Sequence, residues 1–268
     1  MSGRIDIAEQ LVSTTVKLST DAGVGTGFFY KMDESSKGDF KPVIVTNRHV
    51  FEDANNVVIM LTLVDKNSND IVKRYNIFNL KGSVIYHPDP EIDLAVLPCP
   101  GIFQSLMSQG YSFKSVFLEK KLIPTSEQAK DISAIEDVYI IGYPNGYMDE
   151  VNNRPLVRKG ITASDYKLDY NGEPKFLVDS AIYGGSSGSP VIIYNRDGFL
   201  DKDGNYNLGQ PRVHFLGINS AVMIQNLEGE ISEEDVPTAV GLTSRLPIGL
   251  GVIIKSNQLE AFEEFLPE

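Results

Sequence analysis

Short runs of apolar and β-branched residues, separated by polar turns, recur along this chain of 268 residues and predict an all-β protein. Two such runs, 57–64 and 71–78, flank the polar segment 65–70, and this arrangement predicts an antiparallel hairpin. Residues 101–133 lack the pattern and predict a connector of helix and loop. Further strands are predicted on either side of it, at 14–19, 24–30, 42–47, 83–87 and 94–98, and then at 138–142, 175–178, 191–194 and 214–218.

Both ends of the chain carry helical spacing instead. Ile5, Ala8 and Leu11 recur on one helical face near the start. Asn257 with Glu260 three residues later is typical of a capping box that opens a second helix. We therefore predict a short helix at each end, packed on the β-structure.

Three segments carry a hydroxyl, an imidazole and a carboxylate that together indicate a hydrolase. Ser187 lies in the run Gly-Gly-Ser-Ser-Gly-Ser-Pro, His49 in Thr-Asn-Arg-His-Val, and Asp93 in Ile-Asp-Leu-Ala-Val. A serine hydroxyl is a weak nucleophile at neutral pH, because it needs a base to take its proton and an anion to hold that base in the correct tautomer. His49 and Asp93 are the candidates for these two roles.

The order His49, Asp93, Ser187 is that of chymotrypsin and differs from the orders in subtilisin-like enzymes and α/β-hydrolases. With its three segments, the chain resembles the trypsin-like serine peptidases, and its motif style is closest to the HtrA or Deg-type bacterial branch. The resemblance implies one peptidase unit over 1–268, built from two six-stranded antiparallel β-barrels at 13–117 and 133–256 with a helix at 257–268. The run 249–254 is similar to the last strand of the HtrA-type peptidases. HtrA proteins usually carry a PDZ domain after the protease, and none is expected here because the chain stops about a dozen residues past that strand.

The same resemblance implies roles for residues around the nucleophile. The backbone N–H groups of Gly185 and Ser187 would form the oxyanion hole, where each removable donor contributes about 3–4 kcal/mol to transition-state stabilisation. Ser220 falls where the family has a serine that hydrogen-bonds the triad carboxylate. It is therefore a supporting residue for Asp93.

Substrate contacts are predicted from the resemblance as well. Asn219, Ser220 and Ala221 lie in the strand that pairs with bound peptide, and Ala181 stands at the base of the primary pocket. Because Ala181 is not an acid, we predict a small or apolar residue before the scissile bond (P1). An acidic stretch with Glu228, Glu230, Glu233, Glu234 and Asp235 favours basic substrate residues only weakly, since such runs are usually solvated loops.

The residue before the nucleophile is Ser186, where zymogen-type relatives have an aspartate that pairs with a newly cut amino terminus. A serine cannot form that ion pair. We therefore predict that activity needs no trimming of the amino terminus.

Three other arrangements compete with this assignment. Gly184, Ser186 and Gly188 match the nucleophile-elbow pattern Gly-x-Ser-x-Gly, but a β-rich run follows them where the elbow requires a helix. His87 with Asp89 is a rival pair in a proline-rich turn, and His214 in an apolar strand indicates packing. The alternating acids and amides at 201–207 resemble a calcium loop, but Tyr206 and Arg212 stand where that loop needs glycine and a bidentate acid.

Composition limits the classes of binding partner and the cellular compartment that we predict for the protein. The net charge of −12 argues against nucleic acid, because such binders usually carry a basic surface. Cys99 is the single cysteine, so no internal disulfide forms, and three scattered histidines give no metal-binding spacing. We expect no cofactor, no metal and no membrane segment. No signal peptide is visible, and we predict a cytoplasmic protein that acts on protein or peptide substrates, with its oligomeric state left open.

Two classes of function fit these observations. One is a serine endopeptidase that uses His49, Asp93 and Ser187. The other is a catalytically silent peptide-binding module on a protease scaffold. The complete set of three side chains and the glycine at 185 favour the enzyme, because a binding module needs none of them.

Overall fold

The computed structural model describes residues 6–114, 116–225, 231–235 and 246–266. Within these ranges the chain forms two large, mainly antiparallel β-sheets and one two-stranded sheet, and a segment of short helices and turns connects the two large sheets. The all-β fold that the sequence predicts is confirmed. Ile5, Glu228 and Glu230, which the sequence analysis singled out, lie outside the described residues.

The first half is a nine-stranded sheet, with seven strands in the order β5-β4-β1-β2-β3-β7-β6, β8 beside β4, and β9 parallel to β2. The predicted hairpin is confirmed, since β4 and β5 pair along their whole length from Asn56↔Phe78 to Val64↔Asp70. The strands are β1 Thr15–Thr20, β2 Val24–Met32, β3 Lys41–Thr46, β4 Asn56–Val64, β5 Asp70–Phe78, β6 Ile85–Tyr86, β7 Ala95–Pro98, β8 Ser112–Phe113 and β9 Leu118–Glu119.

The second half closes into a six-stranded barrel, because β13 pairs with β10 at one end of the strand order and with β16 at the other. A further strand, β17, pairs with the outer edge of β16, and β14 and β15 form a separate hairpin. The strands are β10 Asp137–Gly142, β11 Leu156–Thr162, β12 Lys175–Asp179, β13 Pro190–Asn195, β14 Gly198–Leu200, β15 Tyr206–Leu208, β16 Arg212–Gln225, β17 Ile231–Asp235 and β18 Leu246–Lys255.

The helices are short. They comprise α1 Ile7–Val12, α2 Arg48–Phe51, α3 Pro100–Ser108 and α4 Ser126–Lys130, with 3₁₀ turns at Leu80–Gly82, Lys120–Leu122, Pro144–Gly146, Tyr170–Gly172 and Ser256–Phe265. The predicted capping box at Asn257 is wrong, because the last segment is a 3₁₀ helix whose N-cap residue is Lys255, with no side-chain capping bond. No helix within the described ranges has both the length and the apolar character needed to span a membrane.

One apolar core spans both halves and holds them together. Phe28 of β2 meets Phe215 of β16 edge-on, with ring centroids 5.3 Å apart, and both side chains are fully buried. The 3₁₀ helix Ser256–Phe265 packs Phe262 into the same core, against His87 of the first half. Because this core lies directly under the cleft between the two sheets, it fixes the position of groups that approach one another from opposite sides.

Candidate active site

The cleft brings His49, Asp93 and Ser187 into one hydrogen-bonded chain. His49 Nδ1 lies 2.8 Å from Asp93 Oδ2, and His49 Nε2 lies 2.8 Å from Ser187 Oγ. His49 and Asp93 come from the first half and Ser187 from the second, so the arrangement exists only when the two halves are docked.

The one-turn helix α2 places His49 at the mouth of the cleft. It follows the buried strand β3, and its own Val50 and Phe51 are buried, which anchors the turn. Asn47 at the start of the turn donates from Nδ2 to the Asp93 carbonyl at 2.8 Å. The His49 backbone N–H donates to Asp93 Oδ1 at 3.0 Å. The base and its carboxylate are therefore fixed to each other by backbone as well as by side chains.

The Asp93 carboxylate has a further donor, as the sequence predicts. Ser220 Oγ lies 2.7 Å from Asp93 Oδ2, the same oxygen that accepts from His49. Ile92 and Leu94 on either side of the aspartate are buried and hold the turn in place. A carboxylate oriented by several donors keeps the imidazole in the tautomer whose Nε2 can accept a proton.

Burial and charge act in opposite directions on His49. Burial lowers the pKa of His49, whereas the hydrogen bond and negative charge of Asp93 raise it, with smaller contributions from Asp235 and Glu52. The net result is a raised pKa. His49 therefore holds a proton more readily than a free imidazole, whose pKa is about 6.5.

Residues 181–188 form the loop that carries Ser187, called the nucleophile loop below. Thr26 joins this loop to the first half of the chain, a contact that the sequence analysis did not predict. Its backbone N–H donates to the Ser187 carbonyl at 2.8 Å, and its hydroxyl donates to the Gly185 carbonyl at 2.9 Å. The same hydroxyl accepts from the Tyr143 N–H, and the Thr26 carbonyl accepts from Thr46. The only signal in the sequence is its position between two glycines in the strand before the histidine segment.

Two glycines are required by the path of this loop. Gly185 has a φ of +76°, and a Cβ there would lie 2.6 Å from the Tyr143 carbonyl oxygen. Gly188 has a φ of +81°, and its Cβ would clash with the Thr26 carbonyl oxygen. Both positions combine a left-handed backbone with close approach to another backbone segment, which only glycine allows.

The peptide between Gly184 and Gly185 is oriented by its neighbours. The Gly184 carbonyl accepts a hydrogen bond from the Asn145 N–H on one side of the loop. In a trans peptide the N–H points away from the preceding carbonyl, so the Gly185 N–H is directed to the opposite side. Within the described residues no acceptor is bonded to it.

The predicted substrate residues lie close to Ser186 and Ser187, with one complication. Ala181 is exposed, next to the buried Ile182, whose side chain fills the space that a Cβ on Gly251 would need. Asn219 donates from Nδ2 to the Ser186 carbonyl at 3.1 Å. The outer edge of β16, however, is already paired, because Ala221 lies opposite Asp235 of β17.

The rival arrangements have structural explanations. Ser186 Oγ accepts from Arg158 Nη2 at 2.9 Å, away from His49, and a strand follows the loop. His87 is buried and its Nδ1 accepts from the Asp89 N–H, so this pair forms a turn. His214 lies in β16 with its pKa lowered by burial. Asp201 accepts from the backbone of Asp203 and Asn205, which makes the calcium-like segment a β-turn between β14 and β15.

One group of side chains in the described part of the chain has spacing that a metal ion would accept. His49, Asp93 and Asp235 each offer a ligand atom within 4.8 Å of the others. His49 Nδ1 is already bonded to Asp93 at 2.8 Å, and it lies 3.9 Å from Asp235. A metal at this point would have to replace the hydrogen bond that orients the imidazole.

An all-β fold with two sheets, and a Ser–His–Asp chain across the cleft between them, define the class of chymotrypsin-like proteases. The family model described as "Trypsin-like peptidase domain" matches residues 25–200, and the chain belongs to this family. No curated protein sequence matches the chain.

Several solved protease structures resemble the chain at low sequence identity. The Rv3671c protease of M. tuberculosis H37Rv, an inactive-form mutant, has a TM-score of 0.46 and 15% identity over 94% of this chain and 85% of that one. The MamO protease domain from Magnetospirillum magneticum scores 0.43 with 16% identity, over 86% and 95%. An inactivated protease paralogue of the scabies mite scores 0.42 with 12% identity, over 96% and 94%. Likeness at this level says nothing about activity.

Proposed function

We propose that the protein is a serine endopeptidase in which Ser187 forms the acyl-enzyme. The observation that carries the proposal is the pair of 2.8 Å hydrogen bonds that link Asp93, His49 and Ser187. His49 takes the Ser187 proton during attack on the peptide carbonyl and later gives it to the leaving amine. Asp93 stabilises the imidazolium that forms between these two steps.

The electrophilic half of the mechanism is assigned to backbone groups. The tetrahedral intermediate places negative charge on the former carbonyl oxygen, and the N–H groups of Gly185 and Ser187 would bind it. The orientation of the Gly184–Gly185 peptide supports this assignment, because it directs the Gly185 N–H away from Asn145. Glycine at 185 also keeps a side chain out of the hole.

The substrate would extend along β16 at Asn219, Ser220 and Ala221, with its P1 side chain near Ala181. The exposed Ala181 and the buried Ile182 support the preference for a small or apolar P1 residue, which stays a prediction. Protein or peptide substrates follow from the family.

Reaction with a fluorophosphonate probe separates the endopeptidase from a silent binding module. The probe reports an activated serine and makes few other demands on the site. We expect the uncut chain of 268 residues to be labelled, and Ser187→Ala to lose all labelling. A correctly folded wild-type chain that the probe never labels would establish the binding module instead.

The rate should depend on pH through His49. Since only the neutral imidazole can accept the Ser187 proton, and the pKa of His49 is raised, activity rises with pH through a midpoint above about 6.5. The acid limb of the kcat/KM profile for a peptide ester measures this midpoint.

The Asp93→Asn variant is the control for this pH dependence. It removes the main cause of the upward shift, so the midpoint moves to lower pH while kcat falls about 10⁴-fold. An unchanged midpoint in this variant would mean that His49 is not the group that titrates.

A further inference from the structure

Arg158 of the second barrel donates hydrogen bonds to the nucleophile loop at two points. Arg158 Nη2 donates to Ser186 Oγ at 2.9 Å, and Nη1 donates to the Ala181 carbonyl. These acceptors stand at the two ends of the segment 181–186, which contains the glycines at 184 and 185. Arg158 itself sits on β11, opposite Ile140 of β10, on the rigid wall of the barrel.

The environment of Arg158 is unusual for an arginine. Arg158 is partly buried, which lowers its pKa to about 10, and its Nε atom has no hydrogen-bond partner among the described residues. No carboxylate among those residues is paired with it, and its two Nη groups donate to the loop instead. Because its donors are used by the loop rather than by an acid, Arg158 points to a function in the loop.

We propose that Arg158 is a positioning residue that holds the nucleophile loop in the conformation that binds the oxyanion. The guanidinium is planar and offers several donors in a fixed geometry, so it can fix Ala181 and Ser186 relative to each other. We call these two hydrogen bonds from Arg158 the brace. They come from within the chain, in agreement with the prediction that activity needs no trimming of the amino terminus. The proposal rests on the proposed function, because loop geometry affects turnover only if Ser187 reacts.

The Arg158→Met variant tests the brace. Methionine keeps most of the apolar length of the side chain and removes the donors. We expect kcat to fall between about 10-fold and 100-fold with little change in KM, because small misplacements of a reacting group and lost oxyanion donors have effects of that order. Millimolar guanidinium ion should restore part of the rate. Lys159→Met, on the same strand with an exposed side chain paired to Asp137, is the matched control and should keep the wild-type rate.

Two kinetic outcomes would overturn the brace. One is an Arg158→Met enzyme with wild-type kcat, and the other is an equal loss in Lys159→Met. Hydrogen exchange gives a reading that does not depend on catalysis, since the amides of 182–187 should exchange faster in Arg158→Met than in the wild type. A wild type that does not react with the fluorophosphonate would reject the endopeptidase proposal. Unchanged amide hydrogen exchange at 182–187 in Arg158→Met would reject the brace, whatever the probe shows.

A second, independent observation concerns the strand register at the outer edge of β16. Ala221 to Gln225 pair with β18 on one side and with β17 on the other, so both edges are filled. The partners on the outer edge run antiparallel, with Glu233 opposite Met223, Glu234 opposite Val222 and Asp235 opposite Ala221. This is the edge, and the direction, in which the proposed substrate would add as a strand.

The contacts of β17 show that it reaches the reaction centre. Asp235 Oδ1 lies 3.9 Å from His49 Nδ1, and the Asp235 side chain is 66% exposed. Glu233 Oε1 lies 3.4 Å from Lys175 Nζ on β12. Backbone pairing with β16 and the ion pair with Lys175 thus hold an acidic strand at the edge where the proposed substrate would lie.

The geometry points to β17 as a built-in competitor that a peptide must displace before cleavage. A tethered strand acts at an effective concentration of the order of millimolar, so only peptides that bind well or arrive at high concentration replace it. This inference also rests on the proposed function, but peptide binding tests it without any chemistry.

The probe is a fluorescent peptide that copies residues 231–235, Ile-Ser-Glu-Glu-Asp, measured by polarisation on the unreactive Ser187→Ala chain. Adding Glu233→Pro and Glu234→Pro removes two of the five backbone N–H groups of β17, in the middle of its pairing with β16, and should release the edge. We expect the peptide to bind at least about 10-fold more tightly after this change. The control pair Glu233→Gln and Glu234→Gln keeps the backbone pairing and should leave binding near that of the parent. If the peptide binds the proline variant and its parent with equal affinity, the proposal that β17 competes with substrate is wrong. A wild type that the fluorophosphonate does not label would reject only the endopeptidase proposal.

Discussion

Removing either Ser187 or His49 should reduce hydrolysis to a small residual rate, and removing both should reduce it no further. The two side chains act as a unit, because the hydroxyl is a useful nucleophile only when the imidazole takes its proton across their 2.8 Å hydrogen bond. In a related type of triad the loss of the serine or of the histidine alone reduces kcat by about 10⁶-fold, nearly as much as the loss of all three members. We expect Ser187→Ala, His49→Ala and the double variant to share one residual rate with a peptide ester.

Thermal unfolding of the three variants is the control for this comparison. Each should unfold near the wild-type temperature, since the substitutions remove only groups at the cleft. A double variant that is slower than both singles by the product of their effects would show that the two groups act independently, and the proposed mechanism would be wrong.

Gly185→Ala should reduce kcat by about 10²-fold to 10³-fold, the effect of losing one oxyanion donor. The added Cβ would lie 2.6 Å from the Tyr143 carbonyl oxygen at a φ of +76°, so the loop must move and carry the 185 N–H away from its position. Because the change acts on the intermediate, we expect kcat to fall more than KM rises. Steady-state kinetics with a peptide ester measures both.

Gly172→Ala separates this effect from simple backbone strain. Gly172 has a φ of +82°, and a Cβ there meets nothing within 4 Å, so the substitution brings a similar conformational cost far from the cleft. We expect a small loss of stability and an unchanged kcat. If the Gly185→Ala enzyme turns over as fast as Gly172→Ala, the Gly185 N–H is not a donor of the oxyanion hole.

Much of the fold follows from residue patterns that are strong in the sequence. In the hairpin of β4 and β5, an almost continuous apolar run and a second run that mixes apolar and polar residues flank a polar loop, and all nine pairs form. The strand β11 was not predicted, because Arg158, Lys159 and Gly160 interrupt its apolar run. The two-residue strands β8 and β9 are too short to carry a period at all.

The first half differs from the implied six-stranded barrel for a related reason. It has nine strands, and within the described residues the end strands β5 and β6 are not paired with each other. Strand count and closure depend on long-range pairing, which leaves no local mark on the sequence. The second barrel closes through β13 and β16, as the resemblance implies.

The side-chain cluster at the cleft was predictable in its Ser–His–Asp groups and not in its supports. His49, Asp93, Ser187 and Ser220 were singled out because their segments carry distinctive neighbours in a fixed order. The contacts of Arg158 and Thr26 were not predicted, because they join residues far apart along the chain and neither residue type is distinctive. The same holds for β17, whose acidic residues are typical of a solvated loop until the strand register places them at the cleft.

The account is tested most directly by mapping the acyl-enzyme. The uncut chain of 268 residues is mixed with an activated peptide ester, quenched in acid within the first turnover, and digested for mass spectrometry. We predict one acyl group per chain, attached to Ser187 and absent in His49→Ala. An acyl group on any other residue, or product formed at the normal rate with no adduct at Ser187, would contradict the account.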